Sequence, residues 1–397
     1  MIKNKNLNLN FQADQLIILA FLIIMPFEMV NHSLIYTLME LLFVNSAFMF
    51  YKQFPRAAND IFFKGYLLIV VWCLIVTCLS PVAKQSFKST TQWFLPLLMF
   101  FPFYLQTNLY AILRRYLWLP TLILFLQSVV LFIYFKMGAH VITDNSVLNF
   151  LYFLNWEWTG KVYTSTIALC LIVLTCSVID NKLIRNILCG VNLASGILCY
   201  DRAFIFSLLI LILLFIYLQI KHKISVLAHI GAIIGAIAII GLSFFVVHNV
   251  LKLNLHIIER FAVYDYWLPK LLISPIHGVG VGIPSLQYYL LNYPVPQHLL
   301  DIDIGMKTHA HNVFLDITLT QGFVGLLIFV SFIGLLLCNT IRNRINPLRY
   351  TFLFMVVAVF SKFMVDDRFE AHMMIVFWFF LLSSYMLSLR VNMAPKR

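Results

Sequence analysis

The sequence predicts an all-α, polytopic integral membrane protein with about 12 transmembrane helices and one large outer loop that contains short surface helices. Three observations carry this reading. Hydrophobic residues make up 62% of the chain and charged residues only 11%, against roughly 25% charged in soluble domains. Mean hydropathy is +0.91. Apolar runs of about 17 residues or more recur along the whole length, and in lipid only a helix satisfies its own backbone hydrogen bonds over such a run.

The first span is expected at 15–32. Lys3 and Lys5 precede it, but no small-residue cleavage site follows, and Pro26 and Glu28 lie near its end, so it reads as an uncleaved helix. Further spans are expected at 34–51, 61–80, 91–107, 116–135, 161–179, 183–200, 203–220, 224–250, 312–338, 347–365 and 370–389. Pro96 and Pro102 should kink the fourth, and Pro120 falls early in the fifth. Gly231 and Gly235 form a small-xxx-small pair that lets helices approach closely. Glu28 and Glu40 sit nearer span ends than centres and read as structural. The chain, 1–397, reads as one integral-membrane domain, without repeats or a soluble domain.

Two connections exceed ordinary length: 136–160, with Asp144 and the aromatic residues Tyr152, Phe153, Trp156 and Trp158, and 251–311. Most Lys and Arg fall in the opposite set of loops and in the tails, from Lys3, Lys52 and Arg56 to Arg344, Arg390 and Lys396. By the positive-inside rule that side and both termini are cytoplasmic, and 251–311 faces outward. The net charge of +12 then reports topology, and nucleic acid is not an expected partner. All the cysteines fall within spans, and neither a disulfide framework nor a zinc spacing is visible. Only His222 and His229 fall on the cytoplasmic side.

Within the long loop, Arg260, Tyr264, Trp267 and Leu271 recur at helical spacing, beside Lys270, and predict a short surface helix ending at Ser274-Pro275. Gly278-Val279-Gly280-Val281-Gly282 lacks the Lys-Ser/Thr of a phosphate loop and reads as a flexible turn. A second surface helix is expected over Ser285–Asn292, its Tyr288 and Tyr289 serving as interface anchors. The loop closes on His309-Ala310-His311-Asn312, where the tenth span begins.

Arg202 at the outer end of the eighth span, Arg260 early in the loop, and His309 and His311 at its close bring two chemistries to one membrane face. Arginines bind phosphate oxygens bidentately without a metal, and imidazole accepts a hydroxyl proton near neutral pH. Together they suit attack of a hydroxyl on a carbon that carries a phosphate leaving group, with a lipid-linked sugar as donor. A metal site is the competing reading, with His298, Asp301, Asp303, His309 and His311 as oxygen and nitrogen ligands. A twelve-span transporter is the rival from another class. Against it, only Asp180 to Lys182 join the two six-span halves, and almost no charge lies at the bilayer centre.

The order of Arg202, then Arg260, Trp267, Ser274-Pro275 and Gly278-Val279-Gly280, then His309-Ala310-His311-Asn312-Val313-Phe314-Leu315 and Gly322-Phe323-Val324-Gly325, resembles the O-antigen ligase and polymerase superfamily. The likeness covers the second half of the chain closely and the first half by its pattern of spans. A single large loop between the ninth and tenth spans resembles the ligase branch. That resemblance implies an inverting glycosyltransferase of the bacterial inner membrane, independent of metals and other cofactors, with its active site periplasmic. The donor would be O-antigen on undecaprenyl pyrophosphate, the acceptor a sugar hydroxyl of lipid A-core, and the surroundings membrane lipid.

In family terms Arg202 and Arg260 hold the pyrophosphate. His311 is the base, His309 stands second, Asn312 orients, and Tyr264, Trp267 and Lys270 support. An O-antigen polymerase is the alternative within the superfamily. It is disfavoured because polymerases more often carry two arginine-rich outer loops, and 136–160 has no arginine. One departure stands out. The family more often has Ser or Thr where this chain has Asp201, and a carboxylate there is expected to pair with Arg202 and weaken its hold on phosphate.

Overall fold

The computed structural model describes residues 18–27, 54–105, 108–137, 160–199, 201–220, 263–297, 310–364 and 371–389, with a few isolated positions before residue 45. Of the expected second span only isolated positions are described, and the ninth, with Gly231 and Gly235, lies outside the described residues. So do Glu28, most of 136–160, and the 221–262 and 298–309 stretches.

The described residues are mostly helical, with no strand among them. Residues 18–24 are helical and tighten into a 3-10 turn at Met25–Phe27. Helix α1, Ile61–Leu79, follows the expected third span, its first turn capped by Asp60, which accepts the Phe62 N–H at 2.8 Å. The expected fourth span is not one helix. Polar α2 (Ala83–Gln92) leads into α3 (Leu95–Leu105, with Pro102 inside), and α4 (Leu109–Tyr116) then turns away by 97°. The kink expected at Pro96 and Pro102 is not where the chain turns: both lie in α3, and the bend follows that helix.

Helices α5 (Trp118–Met137), α6 (Gly160–Val178), α7 (Lys182–Leu198) and α8 (Arg202–Ile220) match the fifth to eighth expected spans closely. The tight α6–α7 turn is held by Asn181, whose side chain accepts the Leu183 and Ile184 N–H groups, and by an Arg114–Asp180 ion pair at 3.0 Å. After α9 (Ile283–Asn292) come α10 (Val313–Arg342), α11 (Thr351–Phe363) and α12 (Ala371–Leu389). α9 is the expected second short helix. The first is present as a helical turn over 263–267 that continues as the 3-10 stretch Leu268–Leu272.

Helix α12 is the axis of the bundle, with every residue from Met374 to Ser388 buried. Around it Phe62, Tyr66, Phe100, Phe332 and Trp378 form an aromatic core, with Phe62 stacked on Phe100 at 4.9 Å and Tyr66 edge-on to Trp378 at 5.0 Å. The outer helices instead turn apolar faces away from the protein. On α8 these are Ile205, Leu209, Leu213 and Ile216, on α1 Leu68 and Ile75, and on α10 Leu327 and Leu335. Such exposed faces suit a lipid environment and would be costly in water. Among the described residues α1, α8 and α10 are each long and apolar enough to cross a membrane, and α5, α6, α11 and α12 carry shorter apolar stretches. The chain is therefore a multi-pass membrane protein.

Helix α10 is broken at Gly322, where φ is 73° and ψ 178°. A break inside a membrane helix frees backbone groups that lipid cannot satisfy, and here the 275–280 segment takes them. Phe323 N–H donates to Pro275 O at 2.8 Å and Val324 N–H to Ile276 O at 3.4 Å, while Leu319 O and Thr320 O accept the Val279 and Gly280 N–H groups. Trp72 Nε1 donates to Gln321 O at 3.0 Å. The glycine run is thus a strap bonded backbone to backbone against a helix break, and not a free turn. A Cβ at Gly278 would lie 2.4 Å from the Thr320 backbone.

Candidate active site

At one end of the bundle the start of α8, the start of α10 and the end of α11 meet. Arg202 is the first residue of α8 and is exposed, while Asp201 before it is buried. The Asp201 carboxylate is held on all sides: Oδ1 accepts the Ala203 N–H at 3.0 Å, and Oδ2 accepts the Ser165 hydroxyl and forms an ion pair with Lys362 Nζ. Burial alone would raise the Asp201 carboxyl. The Lys362 ammonium, with the Ser165 and Ala203 hydrogen bonds, outweighs that and holds it below its ordinary value.

The expected Asp201–Arg202 pairing is therefore replaced by one with Lys362, from α11. Among the described residues Arg202 has no ion-pair partner.

His311 is buried and has φ of +54°, the left-handed region that side chains with a Cβ enter at a cost of about 1–2 kcal/mol. Its neighbours dictate that conformation. Ala310 packs in a small core with Val263, Trp267, Val279, Leu286 and Leu319, and its N–H donates to Asp316 Oδ1 at 2.7 Å. Asn312 then caps α10, accepting the Phe314 and Leu315 N–H groups at 3.0 and 3.1 Å. With both neighbours fixed, the strained turn sets the imidazole at the mouth of α10. Strain of this kind persists where surroundings over-determine it, often at functional sites.

Asn312 Nδ2 and the Tyr264 hydroxyl both donate to the carbonyl of Met364, at 3.2 and 2.9 Å. Met364 closes α11, two residues beyond Lys362. One helix end therefore ties Arg202 on one side, through Asp201, to His311-Asn312 and Tyr264 on the other.

Trp267 is fully buried, edge-on to Tyr266 and Tyr289. Lys270 is also buried: its Nζ donates to Tyr266 O at 2.6 Å and lies 3.3 Å from the Tyr266 ring centroid, while burial lowers its pKa. Tyr266 donates in turn to Tyr293 O, and burial pushes its phenol up to about 12. Trp267 and Lys270 thus build the wall that holds the site. Tyr264 is half-buried and reaches it directly.

Arg260 and His309 lie outside the described residues, as do His298, Asp301 and Asp303 of the metal reading. Among the described residues no group of three or more His, Cys, Asp or Glu side chains is placed to hold a metal. Sequence reasoning missed Lys362 and Ser165. Lys362 is the only charged residue in α11, and an isolated charge in an apolar helix is itself a signal of a buried partner.

An all-helical membrane protein with a cation, an imidazole and an amide gathered at one helix junction is the class this fold and site define. Residues 187–330 match the family model described as O-antigen ligase, so this part of the chain is similar to that family. The matched segment contains Arg202, Tyr264, Trp267, Lys270, His311 and Asn312; Ser165 and Lys362 lie beyond it. No curated protein matches the chain.

Proposed function

We propose that the protein is an O-antigen ligase of the bacterial inner membrane. It transfers glycan from undecaprenyl pyrophosphate to a sugar hydroxyl of lipid A-core, on the periplasmic face, with both termini cytoplasmic. The observation that carries this reading is the junction at the end of α11, which ties the Arg202 helix to the His311-Asn312 turn through Lys362 and Met364.

In this reading His311 takes the proton of the acceptor hydroxyl as its oxygen attacks the anomeric carbon from the face opposite the pyrophosphate. The carbon–oxygen bond to phosphate breaks, undecaprenyl pyrophosphate leaves with the electron pair, and the configuration inverts. Arg202, with Arg260 from the long loop, neutralises charge developing on the leaving group, the largest single contribution that such a site makes. Asn312 keeps the His311 turn in place, and no metal is called for.

Reconstitution with undecaprenyl-pyrophosphate glycan, with and without lipid A-core, tests the reading. Product only with core is the expected result; lengthened lipid-linked glycan without core identifies a polymerase instead. Activity that survives strong chelation excludes the metal route. His311→Asn keeps a residue tolerant of positive φ and removes the base, so it and Arg202→Ala should each lower transfer by at least about a hundredfold. Normal capped lipopolysaccharide in a deletion strain carrying either variant overturns that residue's role.

A further inference from the structure

We infer that Lys362 is a positioning residue that guards Arg202: by neutralising Asp201 inside the bundle, it keeps that carboxylate from the arginine next to it and leaves the guanidinium free for a pyrophosphate. The inference rests on the reading of Arg202 as a donor-binding group.

The geometry gives three reasons. First, Asp201 and Arg202 are adjacent in sequence, so a carboxylate without another partner lies within reach of the guanidinium. An Arg–carboxylate fork competes directly with an Arg–phosphate fork, because both use the same planar donors. Second, the carboxylate is committed elsewhere. Oδ2 faces Lys362 Nζ and accepts from Ser165, and Oδ1 accepts from the Ala203 N–H, so helices α6, α8 and α11 converge on one group. Both charges are almost fully enclosed, with side-chain exposure of 0% for Lys362 and 2% for Asp201.

Third, a buried ion pair is a poor choice if the task is only to join three helices. Apolar residues of similar volume commonly do that as well or better, since two desolvated charges must first be offset. What apolar residues cannot do is hold a carboxylate inward while the next residue points a cation outward.

The test is binding of undecaprenyl pyrophosphate to purified protein, compared across Lys362→Met, Asp201→Asn/Lys362→Met, Arg202→Ala and Arg202→Ala/Lys362→Met. Removing the guard should weaken binding at least about tenfold in Lys362→Met, as Asp201 turns to Arg202. Removing the carboxylate as well should return binding to within about threefold of wild type, because nothing is left to guard against. In the Arg202→Ala background Lys362→Met should add no further loss, since its effect runs through the arginine.

Equal binding by Lys362→Met and wild type overturns the inference. So does a double variant, Asp201→Asn/Lys362→Met, that folds and binds more than about tenfold weaker than wild type, and this one decides even if Lys362→Met alone fails to fold. A loss that adds to that of Arg202→Ala marks a merely structural role. Wild-type protein that binds no pyrophosphate lipid sinks the donor reading itself, a result distinct from all of these.

Discussion

Gly322→Ala tests the architecture that holds the site. At φ 73° and ψ 178° this residue sits in a region used almost only by glycine, which costs an alanine about 1–3 kcal/mol. The added Cβ would also lie 2.0 Å from Ile276 O and 2.2 Å from Ile276 C, backbone atoms that cannot swing aside like a side chain. The strap must shift, and the Phe323–Pro275 and Val324–Ile276 hydrogen bonds flanking the break are the first to go. At about 1 kcal/mol each, their loss brings the total to roughly 3–5 kcal/mol, a large part of the 5–15 kcal/mol typical of a folded domain.

In a chain of this size that corresponds to a fall in apparent melting temperature on the order of 4–6 °C. The readout is a thermal melt in detergent, followed by tryptophan fluorescence. Gly334→Ala is the control: it lies on the same helix with nothing within 4 Å of its Cβ, and should melt at or above the wild-type temperature. A Gly322→Ala protein that melts with wild type would refute the strap as the partner of the break.

Two further predictions concern the same framework. Asn312→Ala should lose about 1 kcal/mol from the α10 cap and also remove one of the two donors to the Met364 carbonyl, lowering both melting temperature and glycan transfer. Asn312→Asp keeps the accepting oxygen but not the donor, so thermal melts beside transfer assays should show stability partly recovered and transfer still low; recovery of both would remove the Met364 tie from the mechanism. At the other end, Cys176 and Cys189 bring their sulfurs within 3.5 Å across the α6–α7 hairpin. Mild oxidation should join them, as alkylation and mass measurement would show by the loss of two free thiols, and Cys176→Ser should abolish the joining. Both thiols remaining open to alkylation would contradict the hairpin register.

Much of the bundle was legible because apolar runs report spans directly: α1, α5, α6, α7, α8 and α12 begin and end within a few residues of where hydropathy puts them. Helix α2 was not legible. Its buried positions are Ser86 and Thr90, which bond to Ser80, Ser285 and Thr77, so its packing face is hydroxyl and not hydrocarbon. The glycine run misled for a related reason. Its hydrogen bonds to α10 run from backbone to backbone, and a pattern of side chains does not encode them.

At the site, the Arg202 and His311-Asn312 positions were readable as helix starts on one membrane face. The partner of Asp201 was misread because adjacency favoured Arg202, whereas the folded chain brings Lys362 from a distant helix to the same carboxylate. That exchange moves Asp201 from a competitor of the site to part of its frame.

The strap over the α10 break also governs how this protein exchanges parts. A segment whose main chain completes a neighbouring helix is not a detachable module, however variable its side chains become. Exposed side chains can drift along 263–297 at little cost, while the Pro275–Gly280 stretch and the Thr320–Val324 turn must change together or not at all. Chimeras that graft this segment from a relative should fold only when that turn travels with it, which joins the variation of the segment to one kink in a membrane helix.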